Sequence, residues 1–443
     1  MKAYGGIMNS PQITGIIAEY DPFHNGHLYQ MRKARSLSGA SWCVAVLSGH
    51  FTERGEPAVY DPFLRAEAAL RAGADAVFEI PAPFSTASAR DYAEYGVKLL
   101  SRLGAGTVAC GTEDATAEEL KALMSLVDES SPVFTETLRK GLVRGLSYPE
   151  ARIEAITEDL AASGAGSGFL WRTRSILASP NNILASEYAR ALAAENTSDA
   201  GPGIRLVTVQ RVGAGYHDPF LRGEFASATA VRRQVFREGG VLRPDSAAAS
   251  YVPGSVLSVL SGTPMLSPDC FAGPAARRIM DLCYEGADLS VYQDVSGDLA
   301  ERIRNTDLRA DSWEGLAARI KTRQYTHTRV SRALLHIFLG IRKTDVLSYK
   351  DAGTAPYARL IGFRRESADL LTALKASSRI PVISKAADAG EVLKRWYGDT
   401  PRARAALRLL GSEAHAADLW NSVCFEQTGR LLPPLYARPM IVV

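Results

Sequence analysis

The sequence predicts an α/β protein: a parallel sheet flanked by helices, with a helical insertion, followed by a mainly α-helical C-terminal part. Three observations predict it. Short apolar runs without polar alternation recur through the first 210 residues, as expected of strands buried on both faces. Helix-like stretches separate them, and such alternation implies parallel pairing. After about residue 245 the strand signals stop and helical patterns take over. With 443 residues, two domains are expected, 1–245 and 246–443.

The runs are ITGIIAEY (13–20), WCVAVLSG (42–49), AVFEIP (76–81), GTVACG (106–111) and IRLVTVQR (204–211). Stretches 26–37 and 62–72 read as helices between the early runs, giving a Rossmann-like order. Residues 115–200, including 116–128 and 183–194, read as a helical insertion before the last strand. Beyond it, 275–284, 312–323, 330–339, 391–396 and 402–412 read as helices, and Pro253, Pro264 and Gly273 mark 245–275 as a linker.

Composition is that of an ordinary globular chain, 46% hydrophobic and 22% charged. No run approaches the roughly 18 apolar residues of a membrane span, and 1–12 do not read as a secretion signal. Cys43, Cys110, Cys270, Cys283 and Cys424 are scattered, with no C-x-x-C pair. That argues against disulfides and structural zinc and fits a cytoplasmic protein. Charge is uneven. Of 51 Lys+Arg and 48 Asp+Glu, residues 301–443 hold 24 and 14 (+10), leaving 27 and 34 (−7) in the first 300. A basic back half suits a polyanionic partner, although solvated helix faces would give the same count.

The chemistry gathers after the first strand, in Asp21-Pro22-Phe23-His24-Asn25-Gly26-His27. In a parallel sheet, ligands bind beyond the carboxyl ends of the strands. Gly26 allows a phosphate close to the backbone, and the start of the next helix favours an anion. His24 and His27, three apart, project together and can donate to phosphate oxygens. A metal pair lacks a third ligand beyond Asp21. Core histidines sit badly in so polar a turn. H-x-G-H in this position resembles the signature of the nucleotidylyltransferase superfamily. Ser227-Ala228-Thr229-Ala230-Val231-Arg232 resembles that superfamily's second phosphate motif, in which Ser227, Thr229 and Arg232 would bind ATP. In isolation it is only an N-capped helix.

Longer stretches resemble a narrower family, the bacterial tRNA(Met) cytidine acetate ligases: EYDPFHNGH (19–27), LSGHFTERGEPAVYD (47–61), SYPEAR (147–152), SPNNILASEYARAL (179–192), QRVGAGYHD (210–218), SATAVR and YTHTRVSRALLHIFLG (325–340). Two departures stand out, since the family usually has Asn at the positions of Asp21 and His50. The resemblance implies an enzyme that activates acetate with ATP as acetyl-adenylate. It then acetylates N4 of the wobble cytidine in the anticodon loop of elongator tRNA(Met), releasing AMP and diphosphate. It implies His24 and His27 as catalytic residues. It also implies an ATP site from Thr14, Gly15, Ile16, Ile17, Ala18, Glu19, Tyr20, Asp21, Pro22, Phe23, His24, Asn25, Gly26 and His27, with Gly111, Asn181, Asn182 and Arg211. Mg²⁺ is expected with ATP. A turn glycine, a helix cap and a surface ion pair are the plain alternatives for Gly111, the asparagines and Arg211. Arg54, in the loop 48–56, is a candidate to steer acetate. For tRNA, the candidates are Lys321, Arg323, Tyr325, His327, Arg329 and Arg332, cations interleaved with aromatics. A small-molecule adenylyltransferase and a non-catalytic RNA-binding protein are the rival functions.

Overall fold

The computed structural model describes residues 13–197, 203–212, 221, 223 and 225–443. The first dozen residues and residues 213–218 of the QRVGAGYHD stretch lie outside the described residues. The five apolar runs form β1 (Ile13–Ala18), β2 (Trp42–Ser48), β3 (Ala76–Ile80), β4 (Thr107–Thr112) and β5 (Arg205–Gln210). They pair in parallel in the order β5-β4-β1-β2-β3. Alternation inside each run divides it between two cores. Ile13, Ile17, Val44, Val46 and Phe78 join one, with the Ala89–Arg102 and Pro180–Asn196 helices. Ile16, Cys43, Ala45, Leu47 and Val77 join the other, with the Asn25–Ser38 and Pro62–Arg71 helices. Gly15 is required by packing, because a Cβ there would lie 2.4 Å from Leu100 on the Ala89–Arg102 helix.

Among the described residues, the expected insertion is present as five helices between β4 and β5: Ala117–Leu126, Pro132–Val143, Tyr148–Ala162, Ser167–Ala178 and Pro180–Asn196. A third core gathers C-terminal helices, among them Ala272–Tyr284, Trp313–Ile320 and His327–Leu339.

Strands do not stop at residue 245. β6 (Ala358–Phe363) pairs antiparallel with β3, and the two-residue strands β7 (Val382–Ile383) and β8 (Ile441–Val442) pair parallel with β6. The C-terminal half therefore completes the N-terminal sheet. Arg359 interrupts the apolar run of β6, but its guanidinium meets Glu79 of β3 at 2.6 and 2.9 Å, both side chains buried. The stretch read as a linker is also packed: Ala248, Val252, Val256, Leu260 and Met265 are buried in the second core. The helix expected over 402–412 runs from Pro401 to Thr428. Gly411 and Ser412 look like a stop, but Glu413, Ala416, Ala417, Trp420 and Val423 beyond them are buried, and that packing carries the helix on.

Candidate active site

At the end of β1 the chain turns through Tyr20, a bulky residue at φ 50°. That left-handed conformation costs about 1–2 kcal/mol and is held by packing: Tyr20 is buried, 4.6 Å from the Phe23 ring and 5.0 Å from the His27 ring. Strain maintained by its surroundings is typical of a functional turn. His24 then caps the Asn25–Ser38 helix. Gly26 N–H donates to His24 Nδ1 at 3.0 Å, and His24 N–H donates to His27 Nδ1 at 3.3 Å. This is a capping box built from two imidazoles.

The cap dictates the tautomer. In each ring Nδ1 accepts, so in the neutral imidazole the proton sits on Nε2. Burial, with Arg211 and Arg232 nearby, pushes His24 down to about 3. Burial, His24 and Arg211 also push His27 well below its usual range. The rings stack at 3.8 Å between centroids. Two stacked neutral rings thus each keep one N–H donor at Nε2, the kind of group an oxyanion-type site uses.

Both histidines line a cleft beyond the carboxyl ends of β1 and β4, with two joined lobes. The larger also takes Ile17, Ala18, Glu19, Tyr20, Asp21, Asn181, Ser227, Thr229 and Arg232. The smaller is lined by Gly26, Tyr29, Val209, Val212 and Phe225. His24, His27, Gln30, Gly111 and Arg211 border both. Ser227 caps the Ala228–Arg237 helix, its Oγ accepting from Ala230 N–H at 3.0 Å. The plain reading of SATAVR therefore holds, and the same helix start faces the cleft. Arg232 donates to the Asp21 carbonyl at 2.5 Å and lies 3.5 Å from its carboxylate. Val59 N–H donates to the other Asp21 oxygen at 2.8 Å. Asp21, where the resembled family usually has Asn, thus ties the loop to the second phosphate motif.

Not every expected residue reaches the cleft. Thr14, Gly15, Ile16, Pro22 and Phe23 are buried in the fold beneath it, and Asn25 donates to the Ser250 carbonyl at 2.9 Å. Asn181 lines the cleft, donating to Glu113 at 2.7 Å. Asn182 is fully buried; its Oδ1 accepts from Glu113 N–H at 3.0 Å and its Nδ2 donates to Asp114 at 2.9 Å. It fastens the insertion to the end of β4 instead of facing the cleft.

Sequence reasoning missed Gln30, Tyr92 and Tyr188, all at the cleft. Gln30 stands three residues after His27 on one helix, a spacing that could have found it. The tyrosines come from distant helices; Tyr92 carries no local signal, and Tyr188 is marked only by lying in the 179–192 stretch.

The loop after β2 closes one side through Thr52, Glu53, Arg54 and Glu56. Its Gly55 sits at φ 76°, and a Cβ there would lie 2.4 Å from the Arg332 backbone. Ser331 Oγ donates to the Gly55 carbonyl at 2.8 Å, so the C-terminal His327–Leu339 helix grips the loop. Arg332 is accordingly no surface cation: it donates to Asp294 at 2.8 Å, lies 3.8 Å from Glu53, and its side chain is 14% exposed. Lys321 and Arg323 are exposed, and His327 is half-buried. Arg329 lies over the Tyr325 ring at 5.3 Å, and Tyr325 Oη is 2.9 Å from Ser296 Oγ. His50, the second departure from the family pattern, is buried with Nδ1 3.0 Å from Glu413.

Strand, turn, paired imidazoles and hydroxyl–arginine helix start together define a nucleotidyl transferase, and the family model described as HIGH Nucleotidyl Transferase matches residues 11–427. A tRNA(Met) cytidine acetate ligase from Syntrophotalea carbinolica is 35% identical over 411 residues, covering 91% of this chain and 92% of that protein. One from Clostridium kluyveri is 33% identical over 378 residues, 84% of this chain and 90% of that one. The apo crystal structure of Thermotoga maritima TmcAL matches with a TM-score of 0.84 and 26% identity, covering 98% of this chain and 99% of that chain. The same protein bound with alpha-thio ATP matches at 0.81 with 24% identity over 97% and 99%. The chain belongs to the tRNA(Met) cytidine acetate ligase family.

Proposed function

We propose that this protein is an ATP-dependent ligase that acetylates N4 of the wobble cytidine in the anticodon loop of elongator tRNA(Met). The observation that carries the reading is the pair of imidazoles that cap the helix through Nδ1 and line one cleft with Arg211 and Arg232, leaving Nε2–H as the donor of each ring. Acetate attacks the α-phosphorus of ATP and diphosphate leaves. Charge grows on the phosphoryl oxygens in that step, and fixed donors in a partly dry cleft stabilise it most. The cytosine amine then attacks the acetyl carbon of the mixed anhydride, and AMP leaves. Positioning and charge stabilisation suffice for both steps, with no covalent enzyme nucleophile.

Arg54 is well placed on the cleft wall to steer acetate. Mg²⁺ usually keeps few protein ligands and rides on substrate phosphates and water. Among the described residues no group of three or more His, Cys, Asp or Glu could hold a metal ion. Bound with ATP, Mg²⁺ would offset charge on the leaving diphosphate. No described helix is long and apolar enough to cross a membrane; the cytoplasm, where the tRNA is, is the proposed location. Lys321, Arg323 and Arg329 supply exposed or half-exposed charge for tRNA phosphates. The test is incubation with ATP, labelled acetate and tRNA(Met). Label in acetylcytidine supports the reading; ATP turnover on a small-molecule acceptor with unlabelled RNA contradicts it.

A further inference from the structure

The second step of the proposed reaction needs a group that takes a proton, since the exocyclic amine of cytosine, its lone pair delocalised into the ring, must shed one as it bonds to the acetyl carbon. The two histidines are unsuited. Each spends Nδ1 on a backbone N–H, so its remaining nitrogen already carries hydrogen. Among the described residues, the carboxylates in the cleft are Glu19, Asp21, Glu53 and Glu56. Asp21 is engaged through both oxygens, by Val59 N–H and by Arg232. Glu53 faces Arg332, which also holds Asp294.

We infer that Glu19 accepts the proton of the attacking amine in the acyl-transfer step, an inference that rests on the ligase reading. Glu19 stands just past the end of β1, five residues before His24, half-buried and lining the same lobe as both histidines. One of its oxygens, Oε1, is fixed by Glu53 N–H at 2.8 Å. The carboxylate is therefore oriented, and Oε2 remains for a substrate. In the step, the N4 nitrogen bonds to the acetyl carbon and one N4 proton passes to Glu19. The bond from that carbon to the AMP phosphate oxygen breaks, its electron pair leaving with AMP.

The surroundings tune Glu19 for this role. Burial pushes it up to about 7; the Glu53 N–H opposes that, Glu53 and Asp21 add to it, and Arg54 opposes it. Arg65, from the Pro62–Arg71 helix, donates to the Glu19 carbonyl at 2.6 Å, and Tyr188 faces it from the Pro180–Asn196 helix. A base works best with its pKa near the working pH. The sign follows: Glu19 is protonated and idle below about 7 and ionised above it.

The experiment separates the two steps in the full chain. Acetate-dependent pyrophosphate exchange reads adenylate formation; single-turnover transfer from preformed adenylate to tRNA(Met) reads the second step. Glu19→Gln keeps the oxygen that holds Glu53 N–H. Transfer should slow by about 10²–10⁴-fold, and by clearly more than exchange does. The wild-type transfer rate should rise with pH through about 7, and E19Q should lack that rise. Equal loss in both steps, or survival of the pH limb in E19Q, contradicts the inference. A limb that disappears in Glu56→Gln but persists in E19Q moves the role to Glu56. A wild type making no acetylcytidine contradicts the ligase reading itself, before any substitution is compared.

Discussion

His24 uses its two nitrogens for different ends. Nδ1 closes the first turn of the Asn25–Ser38 helix, and Nε2–H is left free of that cap, for a phosphate in the proposed reaction. His24→Asn retains a good capping oxygen, whereas His24→Ala removes the cap. Asn should keep most of the stability that Ala loses, about 1 kcal/mol. Both should cut acetate-dependent pyrophosphate exchange by about 10²–10³-fold, the usual effect of one lost transition-state donor. Thermal melting alongside exchange checks this; an Asn variant with near-normal exchange would mean that His24 serves only as a cap. At this scale spacing and position in the sequence point to cleft-lining residues such as His24, His27, Thr229 and Arg232. What stays hidden is pairing: nothing in the chain near Arg332 announces Asp294, and nothing near Asn182 announces Glu113 and Asp114.

Among the elements, β1–β5 are legible because each is an apolar run whose only charges are Glu79 in β3 and Arg205 at the start of β5. β6 is not, because Arg359 breaks the pattern and its partner Glu79 lies 280 residues away. β7 and β8, two residues each, are too short for any periodicity. Removing one partner of a buried pair strands the other. Arg359→Ala should therefore destabilise the fold by about 3–5 kcal/mol. Replacing the pair together, Glu79→Leu with Arg359→Met, should recover much of that loss. Urea unfolding of the three variants gives the comparison. A double variant as unstable as Arg359→Ala would mean that the strand contact, and not the ion pair, carries the effect.

Over the whole molecule the C-terminal half does more than supply charge. Its β6 extends the sheet, Ser331 holds the cleft loop at Gly55, and Glu413 reaches His50 and Ala82 N–H under that loop. The count of +10 after residue 300 points to a polyanion but not to a surface. Part of that charge, at Arg332 and Arg359, is buried and neutralised within the fold. Lys321 and Arg323 are exposed, so Lys321→Ala with Arg323→Ala should weaken tRNA binding and flatten its salt dependence by one to two counterions' worth of slope, about 0.7–0.9 per phosphate contact. Pyrophosphate exchange should be spared. Filter binding across a salt series reads this, and an unchanged slope would place the RNA elsewhere.

The most direct test of the account follows the fate of ATP labelled at the α-phosphate, with acetate and tRNA(Met) each present or absent. The proposed reaction should release AMP, not ADP, in proportion to acetylcytidine formed and only when both acetate and tRNA(Met) are present. ADP as the product, or AMP accumulating at full rate without tRNA, would contradict it.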